Sequence, residues 1–156
     1  MAVSSNMLAL GTPAPPFALH DVVSGQLYSL ASFTGKTGLL VMFLCRHCPY
    51  VVHVQDELAR IGRDYAGHPL GIVAVSSNDP TAYPDDAPPK LKEMAECLGF
   101  TFPFCYDDTQ EMAKAYRAAC TPDFFLFDRE RRLVYRGQLD DSRPGNGKPV
   151  TGRDLR

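Results

Sequence analysis

Cys45 and Cys48 stand three positions apart in the stretch LLVMFLCRHCPYVVHVQDEL, residues 39 to 58, with Arg46 and His47 between them and Pro49 directly after. Two thiols at that spacing can close a disulfide, exchange one, or supply half of a metal site. Their place in the chain bears on the choice, because an apolar run ends at Leu44 and a helical period begins just past Pro49. A thiol at a helix N-terminus meets unpaired backbone N–H groups and the positive end of the helix dipole, so its pKa falls from about 8.5 toward ~3.5–7.5. Cationic neighbours act in the same direction, and stabilising the thiolate makes the corresponding disulfide more oxidising. On this reading Cys45 is the exposed, attacking thiol, Cys48 is the resolving thiol buried behind it, and Arg46 and His47 support the thiolate. Zinc requires four ligands, and no second C-x-x-C or H-x-H pair accompanies the first, so neither a metal nor another cofactor is expected.

The elements that would hold this pair can be read on either side of it. Residues 38–44 form a continuous apolar run of the kind found in a strand buried on both faces. Val51, Val54, Leu58, Ile61 and Tyr65 recur at three- and four-residue steps, and Gly67 follows as a stop, which predicts a helix. A second buried strand is expected over 70–75, then a loop over 77–89, where four prolines mix with Asp and Asn. A helix is expected over 88–98 with proline in its first turn and Gly99 past its end. Another, over 109–118, would be capped by Asp108 or Thr109. DFFLFD and RLVYRGQ, joined by Arg129, Glu130 and Arg131, predict a β-hairpin. The order is strand, helix, strand, helices, hairpin, which describes an α/β domain with a central mixed sheet flanked by helices on both faces.

A chain of 156 residues with 45% hydrophobic and 22% charged residues can build a core without covalent staples, and residues 1–156 are read as one domain. The longest apolar stretch, residues 38–45, is too short to span a bilayer. No basic segment precedes an apolar one at the start of the sequence, so the expected location is cytoplasmic. Five cysteines is an odd number, and in a reducing compartment structural disulfides are not expected. A net charge of −2, with RERRL at 129–133 read as a solvated turn, points away from nucleic acid as a partner. Cys97 and Cys105 are expected in the core, and His53 is expected to be solvated or packed rather than a proton shuttle.

Cys45-Arg46-His47-Cys48-Pro49, together with Thr121-Pro122 ahead of DFFLFD, resembles the thioredoxin superfamily. LGTPAPPFALHDVVSG is similar to the G-x-x-A-P-x-F-x-L-x-D opening of its redoxin branch. More narrowly, CRHCPYV, VSSNDPTAYPDD, TPDFFLFD and YRGQLDDSRPGNG resemble a peroxiredoxin-like group of bacterial proteins labelled as thiol-disulfide isomerases. The resemblance implies a thioredoxin-like fold in which a cis Thr121–Pro122 bond faces the cysteines and the Thr121 backbone pairs with an extended substrate. Cys120, in the same loop, would then be close enough to act as a third thiol near the pair, although plain burial is the favoured reading of it. The implied partners are protein or small-molecule disulfides, peroxides in the peroxidase alternative, and a dithiol electron donor. Relatives in this group run on past the position of Arg156 through a further helix and tail.

Three departures qualify what the resemblance implies. Leu44 occupies the place of an aromatic residue. Leu39 or Met42 occupies the place of a buried acid that accepts the resolving thiol's proton. Met42 also stands where peroxiredoxins carry a peroxide-orienting threonine. A third alternative is a non-catalytic or metal-handling module on the same fold, and copper delivery is disfavoured because no histidine follows His68.

Overall fold

The computed structural model describes residues 10–46, 48–77, 84–107, 109–116, 122–137, 139, 142, 144, 146–152 and 155. Two short strands, β1 (Ala18–His20) and β2 (Leu27–Ser29), form an antiparallel pair. The main sheet contains β3 (Gly38–Phe43), β4 (Leu70–Ser76), β5 (Phe104–Tyr106), β6 (Asp123–Phe127) and β7 (Leu133–Gly137). Its order is β5-β4-β3-β6-β7, with β3 parallel to β4 and antiparallel to β6. The helices are α1 (Pro49–Asp64), α2 (Pro88–Leu98) and α3 (Glu111–Ala115). This is the mixed α/β sheet with helices on both faces that the pattern of elements implies.

Alternation along β3 divides the core into two apolar clusters. Leu40 and Met42 face one side with Val51, Val54, Leu58 and Ile61 of α1 and Leu91, Met94 and Ala95 of α2. Leu39, Val41 and Phe43 face the other, with Phe17, Phe33, Met112 and Tyr116. Because both faces are covered, the strand reads as an unbroken apolar run. Leu39 and Met42, either of which stands in the place of the family's buried acid, are fully enclosed among apolar side chains. Gly62 lets α1 approach closely, since a Cβ there would lie 2.7 Å from Thr101 Oγ1 and 2.8 Å from the Phe102 ring.

An N-terminal segment straps the second face. Gly11 donates to the Leu133 carbonyl at 2.7 Å, and Leu133 returns a bond to Thr12 at 2.9 Å. Ala14 and Phe17 enter the core, the Tyr116 hydroxyl donates to the Pro15 carbonyl, and Val22 donates to the Phe104 carbonyl at 2.8 Å. The strap therefore runs from β7 to β5.

Three expectations are corrected. The third helix begins later than predicted: Gln110, in the left-handed region at φ 64, takes the cap position in place of Asp108 or Thr109. Cys97 is exposed rather than core. Successive helical residues turn about 100°, so Cys97 falls off the buried stripe of Leu91, Met94 and Ala95. The loop over 77–89 also contains a 3-10 turn, Pro84–Asp86, just ahead of α2. Elsewhere the boundaries agree closely. The RERRL stretch is the β6–β7 turn, with the Arg131 guanidinium donating to the Phe33 carbonyl at 2.6 Å.

Candidate active site

The cysteine pair sits at the junction of β3 and α1. Beyond the last residue of β3, the Leu44 N–H still bonds to the Val75 carbonyl at 2.8 Å, so Cys45 is laid down before the chain has left the sheet. It is 1% exposed and packs within the α1-side cluster. Cys48 is half-buried against the same cluster and occupies the N-cap of α1 with extended backbone, φ −71 and ψ 123. Pro49 follows at the first helical position, where it has no N–H to leave unpaired. Val51 and Val52 return their N–H groups to the Cys48 carbonyl at 3.1 and 3.0 Å.

This order of exposure reverses the expected one. Cys45 is enclosed in the α1-side cluster, whereas Cys48 is only half-buried. Cys48 is thus the thiol nearer solvent.

Arg46 also behaves differently from the expectation. Its guanidinium donates to the Lys90 carbonyl at 2.8 Å and pairs with Glu93 at 3.1 Å, so its charge is directed to α2 rather than to the thiols. The bond from Arg46, then its charge, holds the Glu93 carboxyl below its ordinary pKa. The backbone N–H of Arg46 donates to Asp86 Oδ1 at 2.6 Å, and Asp86 is 0% exposed. A buried carboxylate therefore adjoins the segment between the cysteines. Sequence reading missed it because residues 77–89 look like featureless loop. The available signal was an acid pair directly ahead of a proline-started helix, where the helix dipole favours negative charge.

Pro122 is half-buried and immediately precedes β6. Asp123 pairs with Phe43, and one further step of that antiparallel register sets Pro122 across from Leu44, next to Cys45. His47, Thr121 and Cys120 lie outside the described residues, as does the expected cis geometry of the Thr121–Pro122 bond. Two polar features near this end of the sheet were not anticipated. Asp123 and Arg136 form a buried ion pair at 2.9 Å. His53 Nε2 lies 2.7 Å from Ser142 Oγ, which donates to the Lys148 carbonyl at 2.7 Å, so the imidazole ties α1 to the C-terminal segment.

Of the other thiols, Cys105 is buried as expected, and desolvation, assisted by the Asp21 charge, pushes its pKa up to about 12. It is not a nucleophile near neutral pH. Among the described residues, no cluster of three or more His, Cys, Asp or Glu could hold a metal ion, and no helix is long and apolar enough to cross a membrane.

A cysteine pair closing the C-terminal end of the central strand, with helices on both faces of a mixed sheet, defines a thioredoxin-like protein. The sequence profile of the Redoxin family matches residues 9–153, and the chain belongs to that family. It is 28% identical over 129 residues to thiol-disulfide oxidoreductase ResA of Geobacillus thermodenitrificans (strain NG80-2), covering 81% of this chain and 67% of the relative. The chain thus spans about two thirds of the length of that curated relative. Its fold is similar to the crystal structure of an uncharacterized conserved protein from Geobacillus kaustophilus, at 54% identity and a TM-score of 0.96, over 99% of this chain and 82% of that one. The thioredoxin domain of a thiol-disulfide oxidoreductase from Bacteroides vulgatus shares the fold at 22% identity and a TM-score of 0.72, covering 86% and 92% of the two chains.

Proposed function

We propose that this protein is a thiol-disulfide oxidoreductase whose reacting groups are Cys45 and Cys48. The observation that carries the reading is that two cysteines pack against the same apolar cluster at the β3–α1 junction, one of them at the helix N-cap. Membership in the Redoxin family and similarity to relatives named thiol-disulfide oxidoreductases support it. In the reductive direction a thiolate of the pair attacks a substrate disulfide. One substrate sulfur leaves as a thiol with a proton, and a mixed disulfide forms. The second cysteine then loses its proton, attacks the first, and expels the other substrate sulfur, which takes that proton. The substrate gains two electrons and the pair becomes a disulfide, which an external dithiol reduces again.

Position along the chain and the family resemblance assign attack to Cys45 and resolution to Cys48. Exposure favours the reverse order, because Cys48 is the thiol nearer solvent. In either order, His47 is the proposed proton carrier, and Thr121 with Pro122 is the proposed docking edge for an extended substrate. Peroxidase chemistry is the weaker reading. Met42, which replaces the orienting threonine, is 0% exposed and packed in the core, so it provides no polar group to a peroxide. A cytoplasmic location, in which thiols are kept reduced, is the setting proposed for this chemistry.

Trapping with a disulfide-bonded model protein tests both the activity and the order. If Cys45 attacks, Cys48→Ser accumulates mixed disulfides and Cys45→Ser does not; the opposite result assigns attack to Cys48. Absence of trapping by either variant, with no reduction by the intact pair, would overturn the dithiol reading.

A further inference from the structure

We propose that Asp86 is a positioning residue whose negative charge holds the Cys45–Cys48 pair toward the reducing end of its range. This rests on the dithiol reading above. Asp86 is 0% exposed, and its Oδ1 accepts the Arg46 N–H at 2.6 Å. Arg46 directly follows Cys45 and stands two positions before Cys48, so the carboxylate is anchored on the peptide segment that separates the two sulfurs.

Two features keep that charge in place. Asp86 immediately precedes Ala87, the N-cap residue of α2, where the positive end of the helix dipole favours an anion. Arg46 also fastens the loop to α2 through the Lys90 carbonyl and Glu93.

Among the described residues of these elements, the charged groups that flank the pair are Arg46, Lys90, Glu93 and Asp86. The Arg46 guanidinium is occupied by the Lys90 carbonyl and Glu93, while Lys90 and Glu93 lie on the outer side of α2, both exposed to solvent that screens them. Asp86 is instead enclosed, where a charge acts at low effective dielectric. A buried anion near a thiolate disfavours the thiolate, stabilises the disulfide relative to it, and lowers the reduction potential. It therefore opposes the α1 N-terminus, which draws the pair the other way.

Equilibration with glutathione tests this through the reaction of protein dithiol and glutathione disulfide to give protein disulfide and two glutathiones. Asp86→Asn keeps an oxygen acceptor for the Arg46 N–H and removes the charge. It should shift the equilibrium roughly tenfold toward the reduced pair, about 30 mV for a two-electron couple. It should also lower the pH midpoint for alkylating the peptide that carries residues 45–48 by about one unit. Glu93→Gln should change neither. Unaltered equilibrium and midpoint in Asp86→Asn, with only Asp86→Ala departing from the parent, would reduce Asp86 to a hydrogen-bond acceptor and overturn the proposal. A parent protein that forms no Cys45–Cys48 disulfide would refute the dithiol reading instead. The alkylation midpoint needs no disulfide, so it still decides the role of Asp86.

Discussion

Arg136 lies over the ring of Phe125, 4.6 Å from its centroid, while its Nη2 donates to Asp123 at 2.9 Å, and the charged ends of both side chains are enclosed. Asp123 opens β6 beside Pro122, so the pair pins the strand that carries the proposed docking edge. Removing one partner leaves the other charge buried. Asp123→Ala should therefore cost about 3–5 kcal/mol, whereas replacing both partners with apolar residues should cost markedly less. Urea denaturation of the single and double variants measures the difference.

A second prediction concerns Cys105. Its pKa in the fold, pushed up to about 12, lies above the unfolded value, and the neutral thiol is the form that the fold accommodates. The stability this thiol contributes is thus fully present below the unfolded pKa of about 8.5 and is lost as pH rises through the folded value. Cys105→Ala should flatten the decline of thermal stability between those limits. In native protein at neutral pH, Cys97 should alkylate readily and Cys105 only after denaturation, as mass mapping would record.

Gly62→Ala sets helix propensity against space. Alanine gains up to about 1 kcal/mol in a helix interior. The new Cβ, however, would fall 2.7 Å from Thr101 Oγ1 and 2.8 Å from Phe102. Such overpacking typically costs about 1–3 kcal/mol. The expected outcome is a net loss of roughly 1 kcal/mol, read from the denaturation midpoint.

Peroxide provides the fourth test. With Met42 enclosed three residues before Cys45, hydrogen peroxide should be consumed at the rate of an ordinary thiolate and without saturation at low concentration. Saturating consumption that disappears with Cys45→Ser would restore the peroxidase reading.

Most of the framework was legible in the sequence because its strongest elements carry strong signals. The run at β3 and the three- and four-residue steps of α1 each match a single secondary structure, and Gly99 ends α2 in the left-handed conformation at φ 68 that glycine tolerates. The β1–β2 pair, with three residues in each strand, is too short to set a period. Cys97 stands beside apolar residues in the sequence, yet its angle around α2 carries it off the buried stripe of Leu91, Met94 and Ala95. The site was legible in its cysteines but not in their surroundings. Local position at a helix start says nothing of the apolar cluster that encloses Cys45, nor of an acid arriving from forty residues away. Electrostatics at the pair is a tertiary property, and it was the part least readable from spacing.

The N-terminal strap has a consequence for the company the protein keeps. A five-stranded open sheet ends in two strands whose outer N–H and C=O groups could template another chain, and such edges are routes to aggregation. Here one short segment meets both margins, bonding to Leu133 on β7 and to Phe104 on β5. Residues 11 to 22 therefore cover both borders of the sheet while also filling part of its core, so their removal would expose two adhesive edges and open the apolar cluster around Ala14 and Phe17.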